Sequence, residues 1–281
     1  MAEGAFLGNC RVLGEIGRGA MGTVYKAERS GDLVAVKVLG EEWARDPAMA
    51  ARFVEEGLLM RRLSHPAIVR VLDAGRDGGR FFLVLEYVEG PSLARAIERR
   101  AFTAKETAFL ISAVGRALQH AHRMGVIHGD VVPSNILLKS DGSPKLTDFG
   151  IARLRQMAPE RWKAGVTAGT PLYMSPEQAA ALSEMIDVRS DVYSLGVVLY
   201  HAVTGRVPFA GRSAAEILEK VVRVAPPAPR QADPSVDPAL ERIILKAMDK
   251  DPARRYATAK DFADALQAWA RTARDWYSVL P

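Results

Sequence analysis

The chain has one cysteine, Cys10, in 281 residues. No disulfide can close within it and no thiolate cluster can hold a metal, so Cys10 is expected to pack as a small apolar side chain. No uninterrupted apolar run reaches about 18 residues, the length a membrane-crossing helix needs. The opening Met1-Ala2-Glu3-Gly4 has no basic stretch followed by an apolar one and does not read as a secretion signal. A cytoplasmic setting is therefore expected, with no membrane segment in this chain. Blocks of like charge, low-complexity tracts and internal repeats are also missing. The net charge of +5 comes from 38 basic residues scattered among 33 acidic ones. That pattern describes a solvated surface rather than a nucleic-acid stripe, so no nucleic-acid partner is expected. The composition that remains, 48% apolar and 25% charged, is that of a folded globular protein.

The first 88 residues read mainly as strands. The stretches 22–27, 33–38, 69–74 and 81–87 are short and β-branched or aromatic, with turns at Ser30-Gly31-Asp32 and Asp77-Gly78-Gly79. One helix interrupts them. Asp46-Pro47 is a cap with proline in the first turn, and Met49, Phe53, Met60 and Leu63 recur at helical spacing. Glu56 falls on the same apolar stripe, where a carboxylate needs a partner. From about residue 89 the pattern is helical. Thr103 and Glu106 form a capping box, and Phe109, Leu110, Ala113, Val114, Ala117, Leu118 and Ala121 make a stripe that Gly125 ends. Further helices are expected over 191–200, 214–222, 238–248 and 258–269, with an irregular proline-rich connector over 225–238. The fold class expected is α+β: a small sheet-rich lobe, a hinge near 86–88 and a larger helical lobe.

Gly17-Arg18-Gly19-Ala20-Met21-Gly22 has the G-x-G-x-x-G spacing. Dinucleotide-binding loops share it, but they open a helix, whereas Thr23-Val24-Tyr25-Lys26-Ala27 reads as a strand. The glycines are thus placed in a hairpin whose bare backbone can close over phosphates. Lys37 ends the strand Val34-Ala35-Val36-Lys37, where a buried ammonium needs an anion. Phosphate oxygens and Glu56 would supply two.

Three further motifs follow in order: His128-Gly129-Asp130-Val131-Val132-Pro133-Ser134-Asn135, Asp148-Phe149-Gly150, and Gly169-Thr170-Pro171-Leu172-Tyr173-Met174-Ser175-Pro176-Glu177. With the glycine loop and Lys37, they make the chain resemble the protein kinases, specifically the bacterial serine/threonine type, over about residues 6–271. The resemblance implies a bilobal kinase fold, with 6–86 as the small lobe, 86–88 as the hinge, 89–271 as the large lobe and 272–281 as a tail. It implies ATP with Mg2+ or Mn2+ as cofactors and a protein substrate carrying Ser or Thr. Asp130 would accept or orient the substrate hydroxyl, Thr170 would orient Asp130, and Lys37 braced by Glu56 would grip the α- and β-phosphates. Asn135 and Asp148 would hold metal. The glycines Gly17, Gly19 and Gly22 would cover the phosphates. Adenine would bond the hinge backbone at Glu86 and Val88, between Ile16, Val24, Ala35, Val69 and Leu137, with Leu85 behind. Met60, Val71, His128 and Phe149 would stack into a column anchored on Asp191, and Glu177 would pair with Arg255. His65, His120, His122 and His201 read as structural or surface residues.

Two positions depart from the family. Gly129 stands where an Arg usually grips a phosphorylated activation loop, leaving Arg153 as the second basic position of that pocket. Control by phosphorylation, with Thr167 the expected site, should then be weak. Val132 stands where serine/threonine kinases place a Lys on the γ-phosphate, so activity is expected to be reduced. H-G-D-x-x-x-x-N is also the loop of small-molecule phosphotransferases such as the aminoglycoside and choline kinases. The readings are therefore a protein serine/threonine kinase, a nucleotide-binding pseudokinase, and a small-molecule phosphotransferase.

Overall fold

Residues 1–19, 21–149 and 170–273 are described in the computed structural model. The smaller lobe is an antiparallel six-stranded sheet. Its strands are β1 (Phe6–Leu7), β2 (Cys10–Gly19), β3 (Gly22–Arg29), β4 (Asp32–Leu39), β5 (Val71–Asp77) and β6 (Arg80–Glu86), in the order β1-β2-β3-β4-β6-β5. The turns form where positive φ is tolerated: Ser30 and Gly31 join β3 to β4, and Gly78 and Gly79 join β5 to β6. One sheet face closes over Cys10, Val12, Tyr25, Val34, Val36 and Phe82. Cys10 is fully buried there, and burial pushes its thiol pKa up, as the apolar reading anticipates.

Two helices cross the other face, α1 (Glu41–Ala44) and α2 (Pro47–Met60). Asp46 caps α2 by accepting from the backbone N–H of Ala48 and Met49. Met49, Ala50, Phe53, Gly57 and Met60 form its buried stripe. A Cβ at Gly57 would lie 2.2 Å from Leu83 Cδ2, so the glycine lets α2 approach β6.

The strand expected from residue 69 begins at Val71. Ala67–Val69 instead zips onto the larger lobe: Val69 N–H donates to Leu146 O at 2.9 Å, and Leu146 N–H to Ala67 O at 2.9 Å. The larger lobe contains α3 (Leu93–Glu98), α4 (Ala104–Arg123), the hairpin β7 (Ile136–Leu138) and β8 (Pro144–Leu146), α5 (Pro176–Ala179), α6 (Val188–Thr204), α7 (Ala214–Arg223), α8 (Pro229–Ala232), α9 (Pro238–Ala247) and α10 (Ala259–Thr272). The Thr103–Glu106 capping box opens α4 as expected, and Gly125 follows its end at φ +75°. The connector expected to be irregular contains α8, because Pro229 at its first turn is compatible with a helix start. Phe109 differs from expectation: it is 43% exposed at the edge of a stripe carried by Ala108, Leu110, Ile111 and Val114. α6 is buried along nearly its whole length and is the axis on which the other helices pack. Among the described residues no helix is long and apolar enough to cross a membrane.

Candidate active site

The glycine loop is the β2–β3 hairpin, with Gly17 opposite Val24 and Gly19 opposite Gly22. Gly22 has φ +149°, and a Cβ there would meet Val38 O at 1.9 Å, so no other residue fits without moving β4. Below the hairpin, Ala35, Val69 and Leu85 form a small apolar cluster completed by Val24, Val88 and Leu137. The apolar residues that the resemblance assigns to adenine thus come together from both lobes. Ile16, at its mouth, is 50% exposed. Gly90 lets the chain leaving the hinge lie flat on β7, since a Cβ there would sit 1.8 Å from Leu138 O.

The hinge carries an ionic tie that sequence reasoning did not find. The Glu86 carboxylate accepts from Lys145 Nζ on β8 at 2.8 Å and from Arg70 N–H at 3.2 Å, while Lys145 also donates to Ile68 O at 3.3 Å. Lys145 is buried, so these partners replace the water it loses. One ammonium therefore joins β8, the segment before β5, and the hinge.

Lys37 is buried on β4 and makes an ion pair with Asp148 Oδ1 at 2.6 Å. Asp148 thus faces Lys37 directly, and Glu56, the expected brace of Lys37, lines the same inner pocket beside Met60 and Phe149. Asp148 sits at φ +67°, a left-handed conformation that aspartate tolerates better than most residues and that is concentrated at functional sites.

Asn135 Nδ2 donates to both Asp130 O, at 2.9 Å, and Asp130 Oδ2, at 3.2 Å. Its amide nitrogen is thereby spent on Asp130, which leaves the carbonyl oxygen as the cation-binding end. Asn135 O accepts from Thr147 N–H at 2.9 Å, which sets the spacing between Asn135 and Asp148. A carboxylate and an amide oxygen suit a hard divalent cation. Among the described residues no cluster of three His, Cys, Asp or Glu could hold a metal, and magnesium sites that share substrate phosphates need only one or two protein ligands.

The catalytic loop hangs from α6. Asp191, fully buried, accepts from His128 N–H at 2.9 Å, Gly129 N–H at 2.7 Å and His122 Nε2 at 2.7 Å. His128 donates through Nε2 to Thr147 O at 2.9 Å and stacks on Phe149 with ring centroids 4.5 Å apart. Phe149 and Val71 pack on the cluster that holds Met60. The column expected from sequence is continuous. Gly129 takes φ +67°, where glycine is unstrained and a side chain would cost roughly 1–2 kcal/mol. Val132 is only 8% exposed and belongs to the core of the larger lobe.

Glu177, at the start of α5, is gripped by both Arg255 nitrogens at 2.7 and 2.8 Å and by Ser190 Oγ at 2.6 Å. Burial pushes its pKa up, but the hydrogen bonds from Arg255 and Ser190 outweigh that and hold it below the usual carboxylate value. Next to it Tyr173 OH bonds His201 Nδ1 at 2.8 Å. Burial raises the phenol pKa to about 12 and lowers that of His201. Thr170 opens the turn Thr170–Tyr173, and its side chain lies outside the described residues, as do Arg153 and Thr167.

A model of the family described as protein kinase domain matches residues 10–268. The chain belongs to the protein kinase family. This kinase domain is 39% identical over 277 residues to a probable serine/threonine-protein kinase of Streptomyces coelicolor, covering 95% of this chain and 41% of that one. It is 39% identical over 269 residues to the serine/threonine-protein kinase PknA of Mycobacterium tuberculosis, covering 93% and 61%. To PrkC of Bacillus subtilis it is 37% identical over 274 residues, covering 95% and 41%. The kinase domain thus spans roughly 40–60% of the length of these relatives. Among solved structures it superimposes on the kinase domain of Mycobacterium tuberculosis PknI with a TM-score of 0.76 at 28% identity, covering 95% of this chain and 99% of that one. The bilobal kinase fold and the bacterial serine/threonine type expected from the motifs are both borne out.

Proposed function

We propose that residues 6–271 act as one catalytic unit that transfers the γ-phosphate of ATP to serine or threonine hydroxyls of a protein. The observation that carries this reading is the convergence on one cleft of the Lys37–Asp148 ion pair and the Asp130–Asn135 pair. Phosphoryl transfer asks for charge neutralisation and in-line placement rather than covalent help. Adenine enters the slot of Val24, Ala35, Val69 and Leu137 and bonds the hinge backbone at Glu86 and Val88. Lys37 grips the α- and β-phosphates under the loop of Gly17, Gly19 and Gly22. Asn135 and Asp148 would hold the divalent cation, which would neutralise charge on the phosphate oxygens. Asp130 orients the substrate hydroxyl and takes its proton, a role in which Thr170 is expected to orient it. Glu56, which lines the same pocket, would brace Lys37.

The rate is expected to be reduced, because Val132 supplies no cation to the γ-phosphate. The protein-substrate reading is favoured over a small alcohol by the Tyr173–Glu177 platform, built with a buried ion pair beside the catalytic loop. The test is incubation with labelled ATP, magnesium and a generic basic protein, followed by acid hydrolysis. Label on phosphoserine or phosphothreonine supports the reading. Label only on a small-molecule alcohol, or nucleotide binding with no transfer, would replace it with one of the other two readings.

A further inference from the structure

The peptide unit that carries Asp130 is pinned by a residue outside the family's usual catalytic set. Gly129 O accepts a hydrogen bond from Gln178 Nε2 at 2.8 Å. At the other end of the same peptide plane, Asp130 N–H donates to His128 Nδ1 at 3.2 Å. The preceding plane is held through Gly129 N–H by Asp191 Oδ1 at 2.7 Å. Gln178 is half-buried on α5, and its oxygen is already committed. Gln178 Oε1 accepts from Ser175 N–H at 3.0 Å and Ser175 Oγ at 3.1 Å, closing the capping box of the helix. One side chain thus fastens the start of α5 to the catalytic loop, with its oxygen on one side and its nitrogen on the other.

We propose that Gln178 is a positioning residue that sets the orientation of Asp130 through the Gly129 carbonyl. Glycine restricts φ and ψ less than any other residue, so with Gly129 at this position the loop gets its rigidity from these hydrogen bonds. Rotation of the Gly129–Asp130 plane would swing the Asp130 carboxylate away from Asn135 and from an incoming hydroxyl. Small misplacements of this kind are costly in rate. The amide, and not merely a polar side chain, is required: a glutamate could still cap α5, but a carboxylate cannot donate to a carbonyl oxygen.

The role in catalysis rests on the kinase reading, whereas the clamp itself can be measured without turnover. The experiment compares the parent with Gln178→Glu, which keeps the cap and loses the donor, and with Ser175→Ala, which weakens the cap and keeps the donor. Hydrogen exchange is followed in peptides covering residues 128–132 and 188–204, alongside kcat, KM for ATP and thermal melting. Gln178→Glu should speed exchange over 128–132 about tenfold, leave 188–204 unchanged, and lower kcat about tenfold with KM for ATP within twofold. Ser175→Ala should lower the melting temperature with kcat within twofold. Unchanged exchange over 128–132 in Gln178→Glu overturns the clamp, and faster exchange with full kcat overturns its part in positioning Asp130. If the parent shows no transfer and the variant still exchanges faster, the kinase reading fails and the clamp stands.

Discussion

Val132 stands where the family resemblance leads to the expectation of a lysine on the γ-phosphate. Its side chain is buried with the core of the larger lobe. A lysine there would have to lay its stem along that apolar surface and carry its ammonium toward the γ-phosphate. Preorganised charge of this kind is typically worth about 2.7–4 kcal/mol in the transition state, and a grafted lysine should recover part of it. Val132→Lys is expected to raise the transfer rate at least severalfold, with ATP affinity little changed and the melting temperature lowered. Steady-state kinetics beside a melting curve checks this. An unchanged rate in a parent already turning over at about 1–100 per second would mean that another cation fills the position. The other departure has a conformational counterpart: at φ +67° Gly129 needs no strain, whereas an arginine would.

At the scale of elements, the Glu177–Arg255 pair ties α5 to the loop before α10 and so supports the segment that carries Gln178 and Tyr173. Both side chains are essentially excluded from water. Removing one charge strands the other, at a typical cost of about 3–5 kcal/mol, so Glu177→Gln should unfold at markedly lower denaturant than the parent. The carboxyl titrates below its unfolded value. Its stabilising contribution is therefore present above about pH 4.5, the unfolded carboxylate range, and is lost as pH falls through the lower folded value. Between pH 5 and 3 the parent should lose more stability than Glu177→Gln, as read from urea midpoints at each pH. Parallel acid profiles would show that the pair contributes nothing through ionisation.

Much of this was legible in the sequence where a local rule and the tertiary structure agree. The Asp46 and Thr103 caps, the Gly125 stop and the hairpin glycines all rest on short-range patterns, whereas the apolar slot around Ala35 and Leu137 was expected only from the family resemblance. What was not legible depends on distant partners. Nothing in the spacing of Lys145 points to Glu86, 59 residues away, nor does Ser175-x-x-Gln178, readable as a capping box, indicate that the amide's other end reaches Gly129. Phe109 lies at the margin of a wide helical stripe, where periodicity alone does not separate buried from exposed positions. Lys37 reaches Asp148, 111 residues away, a pairing that the strand motif alone does not indicate.

The whole molecule is two lobes joined by the hinge, by the Ala67–Val69 and Leu146 backbone bonds, and by Lys145. A ligand bridging the cleft should stabilise both lobes together. Magnesium-ATP at about 100 times its dissociation constant should add about 2.7 kcal/mol of stability, seen as a rise in melting temperature in the parent and a much smaller one in Lys37→Met. No shift in the parent would remove the nucleotide from the account.

The most direct measurement is the rate of γ-phosphate transfer from labelled ATP to protein, in the parent and in Asp130→Asn, with ATP binding followed in parallel. Orienting the hydroxyl and taking its proton is typically worth about 10²–10⁴ in rate. The expected result is measurable transfer in the parent, a loss of that size in Asp130→Asn, and ATP binding preserved in both. Equal transfer by the two proteins, or none by either while ATP still binds, would contradict the assignment of this cleft to phosphoryl transfer through Asp130.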